Sequence, residues 1–423
     1  HDKCRAARNR DLPKSVENIN VDAKVFYDGV IEDNTKLDVN KFHLDMAGNP
    51  FDMQLHIITP MSDMQMNGAI KGKIDLASFA DVVPAEDIEM AGLINMDIDF
   101  MGKMSDIEKE NYEVFKADGL FEVIGIVVKG KDLPAAVSIS KVTMNFSPKF
   151  VNLVTFDAIV GQSDIHMDGT LENFIPYVFK DGVIKGRLNL NSSFLNVSEL
   201  MADTDTAATP ETVDTSSMSV VEIPGNVDFI LQSRMKKILY DKLELNNVLG
   251  KITVKEGKVI MDNLSMNLLE GSMVMSGEYN TQDISIPKVD YKLDMKNIDI
   301  PSAFYAFNTV EKIAPIAKSM KGRVSVKMDF ESVLDSAMSP VMNSIIGSGT
   351  MESGDVEIAN SETFDKISAA LKNDKFKDVR IKDFKVFFEI KDGRIIIKPF
   401  DTKIASYKVS IGGDQGIDQT MNY

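Results

Sequence analysis

The stretch Lys251–Asn280, KITVKEGKVIMDNLSMNLLEGSMVMSGEYN, constrains the fold more than any other part of the chain. Ile252 and Val254 alternate with Lys251, Thr253 and Lys255. Glu256-Gly257 supplies a two-residue turn, since glycine takes positive φ at no steric cost. Leu264, Met266 and Leu268 then alternate with Ser265 and Asn267. After a break at Glu270-Gly271, Met273 and Met275 alternate with Ser272, Val274 and Ser276. Successive side chains of a strand point to opposite faces, so these three runs predict a β-meander with one apolar and one wet face.

The same pattern recurs along the chain. Ile94, Met96, Ile98 and Phe100 alternate with Asn95, Asp97 and Asp99. Leu188 and Leu190 share a face with Ile184 and Gly186, and Leu293 and Met295 alternate with Lys292, Asp294 and Lys296. Val324, Val326, Met328 and Phe330 form one clean run, and Phe384, Val386, Phe388 and Ile390 another before a KDGR hairpin. A turn–strand–bend–strand unit begins near residues 34, 148, 257 and 393, at intervals of 114, 109 and 136. A second series, a strand leading into a short segment with a phenylalanine, ends at Phe79, Phe194 and Phe304, at intervals of 115 and 110. Two interleaved series with a period near 110 predict repeated modules.

Between the strands, residues 105–117 read as a helix with Ser105 as N-cap and Glu108 at capping-box spacing. Residues 301–320 read as a helix with Pro301 in its first turn and a kink or stop at Pro315, and 361–375 as an amphipathic helix. Residues 1–18 read as a tail or the cut edge of a longer protein. Residues 19–202 form a region of β-meanders. Residues 203–219 (DTDTAATPETVDTSSMS) are too polar to offset their ordering entropy and read as a linker. Residues 220–423 form a second β-region.

Charge and motifs exclude several functions. With 47 basic and 64 acidic residues the net charge is −17, which argues against nucleic acid and anionic membrane surfaces as partners. No apolar run reaches the length of a membrane-spanning helix. Cys4 is alone, so no disulfide forms within the chain. No nucleotide-binding or nucleophile-elbow motif is present, and the histidines His1, His43, His56 and His166 lack the spacing of a metal site. No catalytic residue, metal or cofactor is expected. The 25 methionines suit surfaces that adapt to ligands of variable shape.

A twisted open sheet of well over ten strands curls or splits, and with one apolar face the economical curl is a trough with that face inside. The expected fold is mainly β with a few short helices: a long curved antiparallel sheet forming an elongated groove from repeated meander modules. The candidate lining residues are Ile94, Met96, Ile98, Phe100, Leu188, Leu190, Leu264, Met266, Leu268, Leu293, Met295, Val324, Val326, Met328, Phe330, Phe384, Val386 and Phe388. In sequence order, GKITVKEGKVIMDNLSMNLLEGSMVMSGEYN, IDIPSAF, SMKGRVSVKMDFES, AMSPVMNSIIGSGTMESGDVEI, FDKISAALK and GGDQGIDQTMNY span roughly Val227 to Tyr423. That region resembles the C-terminal part of AsmA-like proteins, and residues 20–200 resemble the family more loosely. The resemblance implies a non-enzymatic periplasmic protein of a Gram-negative envelope, anchored to the inner membrane by a helix outside this fragment. It also implies a groove that shields phospholipid acyl chains on the way to the outer membrane. Two other readings stand beside it: a scaffold or regulator of envelope assembly with a closed core, and an outer-membrane β-barrel.

Overall fold

The computed structural model describes residues 16–46, 48–77, 88–109, 111–112, 114–130, 135–200, 220–307, 310, 314–404, 407–416 and 420–422. The expected linker 203–219, Phe79 and Cys4 lie outside these residues. The chain divides into two units; one runs to Ser192 and takes in Asn226–Leu231, and the other contains Gln232–Tyr423.

In the first unit, strands follow one another as antiparallel neighbours: β1 (Val16–Phe26), β2 (Lys36–Met46), β3 (Asn49–Ile58), β4 (Gln65–Asp75), β5 (Ile88–Lys103), β6 (Lys116–Gly130), β7 (Val137–Phe146), β8 (Phe150–Val160), β9 (Ser163–Glu172) and β10 (Ile184–Ser192). Helix α1 (Met104–Glu108) follows β5, and α2 (Phe174–Lys180) precedes β10. A short strand β11 (Leu195–Asn196) and helix α3 (Val197–Leu200) come next, and β11 pairs parallel to the end of β12 (Val227–Tyr240).

In the second unit, β13 (Leu243–Lys255), β14 (Lys258–Leu268), β15 (Gly271–Asn280) and β16 (Lys288–Asp299) continue the meander. Helix α4 (Ile300–Ala306) leads to β17 (Met320–Val333) and β18 (Ile346–Ile358), and α5 (Glu362–Leu371) to β19 (Val379–Lys391), β20 (Arg394–Ile404), β21 (Tyr407–Gly416) and β22 (Met421–Asn422). Among the described residues no pairing joins β1 to β22, so the sheet is open and the barrel reading is set aside.

The repeat is visible in three dimensions. β2, β8, β14 and β20 each follow a turn, and each carries a β-bulge at the same depth, between Val39 and Phe42, Leu153 and Phe156, Met261 and Leu264, and Ile397 and Phe400. The bulge inserts one residue and switches which parity points inward. The inward-facing sets therefore align, apolar at every position but Thr402: Leu37, Val39, Phe42, Leu44, Met46; Val151, Leu153, Phe156, Ala158, Val160; Val259, Met261, Leu264, Met266, Leu268; Ile395, Ile397, Phe400, Thr402, Ile404. In β14 the extra residue is Asn263, at φ 51, a conformation asparagine tolerates better than most residues.

Four expected boundaries change. Val16–Asn18 belong to β1 rather than to a tail. The helix expected at 105–117 is one turn, α1, and β6 begins at Lys116. Ser105 does not cap it. The Asp63 carboxylate instead accepts from Ser105 N at 2.9 Å and Ser105 Oγ at 2.8 Å. Burial of Met104, Ile107 and Phe115 against Met64 and Met66 pulls the chain back after that turn. Of the helix expected at 301–320, α4 covers Ile300–Ala306 with Asp299 as N-cap to Ser302 N at 3.0 Å, Val310 is helical with its carbonyl accepting from Ala314 N at 2.8 Å, and a 3-10 turn starts at Pro315. Proline lacks the amide an interior helical position needs. The helix expected at 361–375 spans Glu362–Leu371, and a separate 3-10 turn covers Asp374–Phe376.

Candidate binding surface

Residues directly opposite one another on antiparallel strands present their side chains to the same face. In the second unit this builds uninterrupted rows. One runs Met266, Met273, Met295, Val326, Met351, Val386 across β14 to β19. The next runs Leu264, Met275, Leu293, Met328, Gly349, Phe388, Ile397 across β14 to β20. A third runs Met261, Gly277, Tyr291, Phe330, Gly347, Ile390, Ile395. The second row crosses seven strands, about 29 Å at the usual strand spacing. Among the remaining expected lining residues of this unit, Leu268 lies opposite Gly271, Val324 opposite Ile298 and Phe384 opposite Ser353.

The first unit repeats the arrangement. Ile94, Val123, Val142, Phe156, Met167 and Leu190 form one row, and Met96, Phe121, Met144, Leu153, Gly169 and Leu188 the next. Ile98 belongs to a third row with Ile70, Gly119, Phe146, Val151 and Leu171. Phe100 lies opposite Gly68, and a Cβ on that glycine would stand 2.4 Å from the Phe100 ring. The absence of a side chain lets the ring lie flat on the neighbouring strand.

The structure thus places all eighteen expected residues on these faces, at differing depths. Leu188, Leu264, Met266, Leu268 and Val386 are buried, and the other thirteen are half-buried. Both ends of the second unit's apolar face are filled. At one end Ile300 and Phe304 of α4 pack with Val356, Ile358, Val379, Ile381 and Ile404. Beside them Leu264, Met266 and Leu268, only 3–4% exposed, join Met235, Ile238, Val248 and Ile298. At the other end Tyr279, Val289 and Leu334 pack with Ile223 and Met338. Burial raises the Tyr291 phenol far above its ordinary value, and nearby Tyr240 and Tyr279 add to the shift. Between the filled ends, Leu293, Met328 and Phe388 stay half-buried and belong to none of these clusters.

The opposite face is polar and ion-paired. Lys71 meets Asp97 at 2.6 Å, Lys251 meets Asp262 at 2.7 Å and Lys398 meets Glu389 at 2.6 Å. His43, His56 and His166 lie here too. His43 bonds Asp52 at 2.7 Å, His56 bonds Asp38 at 3.1 Å, and His166 bridges Asp157 at 2.7 Å and Asp164 at 3.2 Å. Hydrogen bonding to His166 lowers the Asp157 pKa, and the same bond raises that of His166. Among the described residues no His, Cys, Asp and Glu group is arranged to hold a metal ion. A shallow hollow of about 640 Å³ in the second unit is rimmed by Lys292, Asp294, Lys327, Asp329, Glu389 and Lys398, and Leu293, Met328, Gly349 and Phe388 also line it.

Comparison with family models, with curated proteins and with solved structures returns no match for this chain. Face members that simple alternation misses are Met261 and Ile298, which lie beyond bulges at Asn263 and Asn297. The only local signal for them is an asparagine that interrupts an otherwise regular run.

Proposed function

We propose that this chain is a non-enzymatic lipid-binding protein of the AsmA-like type, which shields phospholipid acyl chains along its apolar sheet face in transit between inner and outer membranes. The observation that carries the reading is the row Leu264, Met275, Leu293, Met328, Gly349, Phe388, Ile397, apolar on every strand it crosses and half-buried at its centre. Its length of about 29 Å is close to the ~30 Å hydrocarbon core of a bilayer. Each methylene hidden from water is worth about 0.8 kcal/mol, so two chains of about 16 carbons face a barrier above roughly 20 kcal/mol when crossing water bare. An apolar surface that stays continuous from strand to strand removes most of that barrier without any chemistry. The seven methionines on this unit's face, Met261, Met266, Met273, Met275, Met295, Met328 and Met351, suit chains of differing length and unsaturation. Periplasmic location and anchoring to the inner membrane belong to the same proposal.

The burial of Leu264, Met266 and Leu268 favours, at that end alone, the scaffold reading with a closed core. Lipid extraction and native mass spectrometry of the purified chain separate the two. Co-purifying phospholipid and transfer of a fluorescent phospholipid between vesicles are expected. Absence of both overturns the lipid reading in favour of the scaffold.

A further inference from the structure

The outer side of β1 is a long strand edge that, among the described residues, has no strand partner, since its register pairs it with β2 alone; the other such edge is Tyr407–Gly413 of β21. Ten of its eleven residues are exposed. Val21, Ala23 and Val25 lie opposite Phe42, Val39 and Leu37, and therefore belong to the apolar face. Val39, one strand in, is 7% exposed, whereas Val21 is 50% and Val25 69% exposed. An exposed apolar edge of this length is a template for another strand, and natural proteins blunt such edges unless they use them. This edge carries no proline and a single lysine, Lys24.

Its limits define how a strand can add. A bulge at Asn18, with φ 52, ends the regular ladder on one side, and the strand ends at Phe26 on the other. β1 itself runs without an extra residue from Asn20 to Phe26, because the register shift between Asp22 and Ala23 places the additional residue, Asn40, in β2; the centre of that stretch is Ala23. Antiparallel pairing of two such stretches about a two-fold axis at Ala23 sets Asp22 opposite Lys24 of the partner subunit, and Lys24 opposite the partner's Asp22. It sets Val21 opposite the partner's Val25 on the apolar side. The smallest side chain sits on the axis. Opposite charges and branched apolar residues directly across a ladder both stabilise pairing, and like charges there oppose it.

We propose that two copies of this chain associate through β1, edge to edge about a two-fold axis at Ala23, so that the apolar faces of the two first units join across the axis. Such an interface is isologous and closes on itself, which leaves no free β1 edge for further growth.

Sedimentation velocity of the purified chain over a roughly hundredfold concentration range tests this. The wild type is expected to reach twice the chain mass. Val21→Glu alone and Val25→Lys alone each set a charge opposite a valine of the partner, twice per dimer, and are expected to weaken association about tenfold or more. The double variant Val21→Glu/Val25→Lys sets each new glutamate opposite a new lysine of the partner and is expected to recover association. Within one strand these positions stand about 13 Å apart, so the rescue cannot arise inside one chain. A wild type monomeric throughout, single variants that associate like wild type, or a double variant no better than the singles overturns the proposal. The last outcome points to a different segment on this edge.

Discussion

Met328 and Met266 lie on adjacent rows of one face, yet a carboxylate at each is expected to do different things. Met266 is 4% exposed and packed with Met235, Ile238, Val248 and Ile298. Met266→Asp forfeits about 1.5–3 kcal/mol of burial. It also leaves a cavity of the kind that brings large-to-small core changes to about 2–5 kcal/mol, and it buries a charge without a counter-ion. The total exceeds about 5 kcal/mol, a large share of the roughly 5–15 kcal/mol that holds a domain folded. Met328 is half-buried at the centre of its row, and its neighbours Leu293 and Phe388 are also half-buried. There an aspartate keeps a path to water, and the folding cost is about 1–2 kcal/mol. Pressed against an acyl chain, the same carboxylate loses solvation worth several kcal/mol, so bound lipid falls by about tenfold or more. Urea unfolding of each variant and mass spectrometry of co-purifying lipid provide the two readouts. Met266→Asp is expected to unfold, and Met328→Asp to stay folded and arrive empty. A folded Met328→Asp with a full complement of lipid refutes the assignment of this row to ligand. A Met328→Asp that unfolds as readily as Met266→Asp shows that the centre is packed core.

Gly349→Ala places a Cβ 2.4 Å from the Lys327 carbonyl oxygen and 2.7 Å from the Phe388 ring. Because the oxygen belongs to the backbone, a loss of about 1–3 kcal/mol is expected in denaturant melts. Asp63→Ala removes the acceptor that holds Ser105 N and Oγ, and a loss of about 1 kcal/mol is expected from the same measurement. His166, with its pKa raised above 6.5, contributes stability in full below 6.5 and loses it as pH rises through its folded value; Asp157, lowered below 3.8, contributes above 3.8 and loses it as pH falls through its folded value. The difference in unfolding free energy from urea melts between wild type and His166→Gln is therefore larger at about pH 5.5 than at about pH 8.5, on the order of 0.2–1 kcal/mol for a pair this exposed.

Strand phase was legible wherever a strand keeps one period, as in Ile94–Phe100 and Val324–Phe330. Directly opposed partners then carried those residues into common rows. The spacing of the turns near 34, 148, 257 and 393 located β2, β8, β14 and β20. Two things were hidden. Bulges at Asn263 and Asn297 exchange inward and outward positions within a strand, so a period-two reading started on one side fails on the other. Partners distant in the chain were hidden as well. Ser105 looked like a cap because its true acceptor, Asp63, stands 42 residues earlier. Depth on the face was also not readable, because Met266 and Met328 have similar neighbours in sequence and differ through what α4 and β12 bring near them.

The bulge shared by β2, β8, β14 and β20 makes this sheet intolerant of small changes in length. Deleting Asn263 would send Leu264, Met266 and Leu268 to the side where Lys292 and Asp329 stand, because a shift of one residue reverses every side chain beyond it. Inserting a complete copy of six strands such as β14–β19 leaves every assignment of inside and outside intact. Each such copy would add about 29 Å of sheet, six strand spacings. The reach of a protein on this plan is therefore adjustable only in whole modules, and variants or relatives of different reach should differ in copy number while the strand lengths within a copy stay the same.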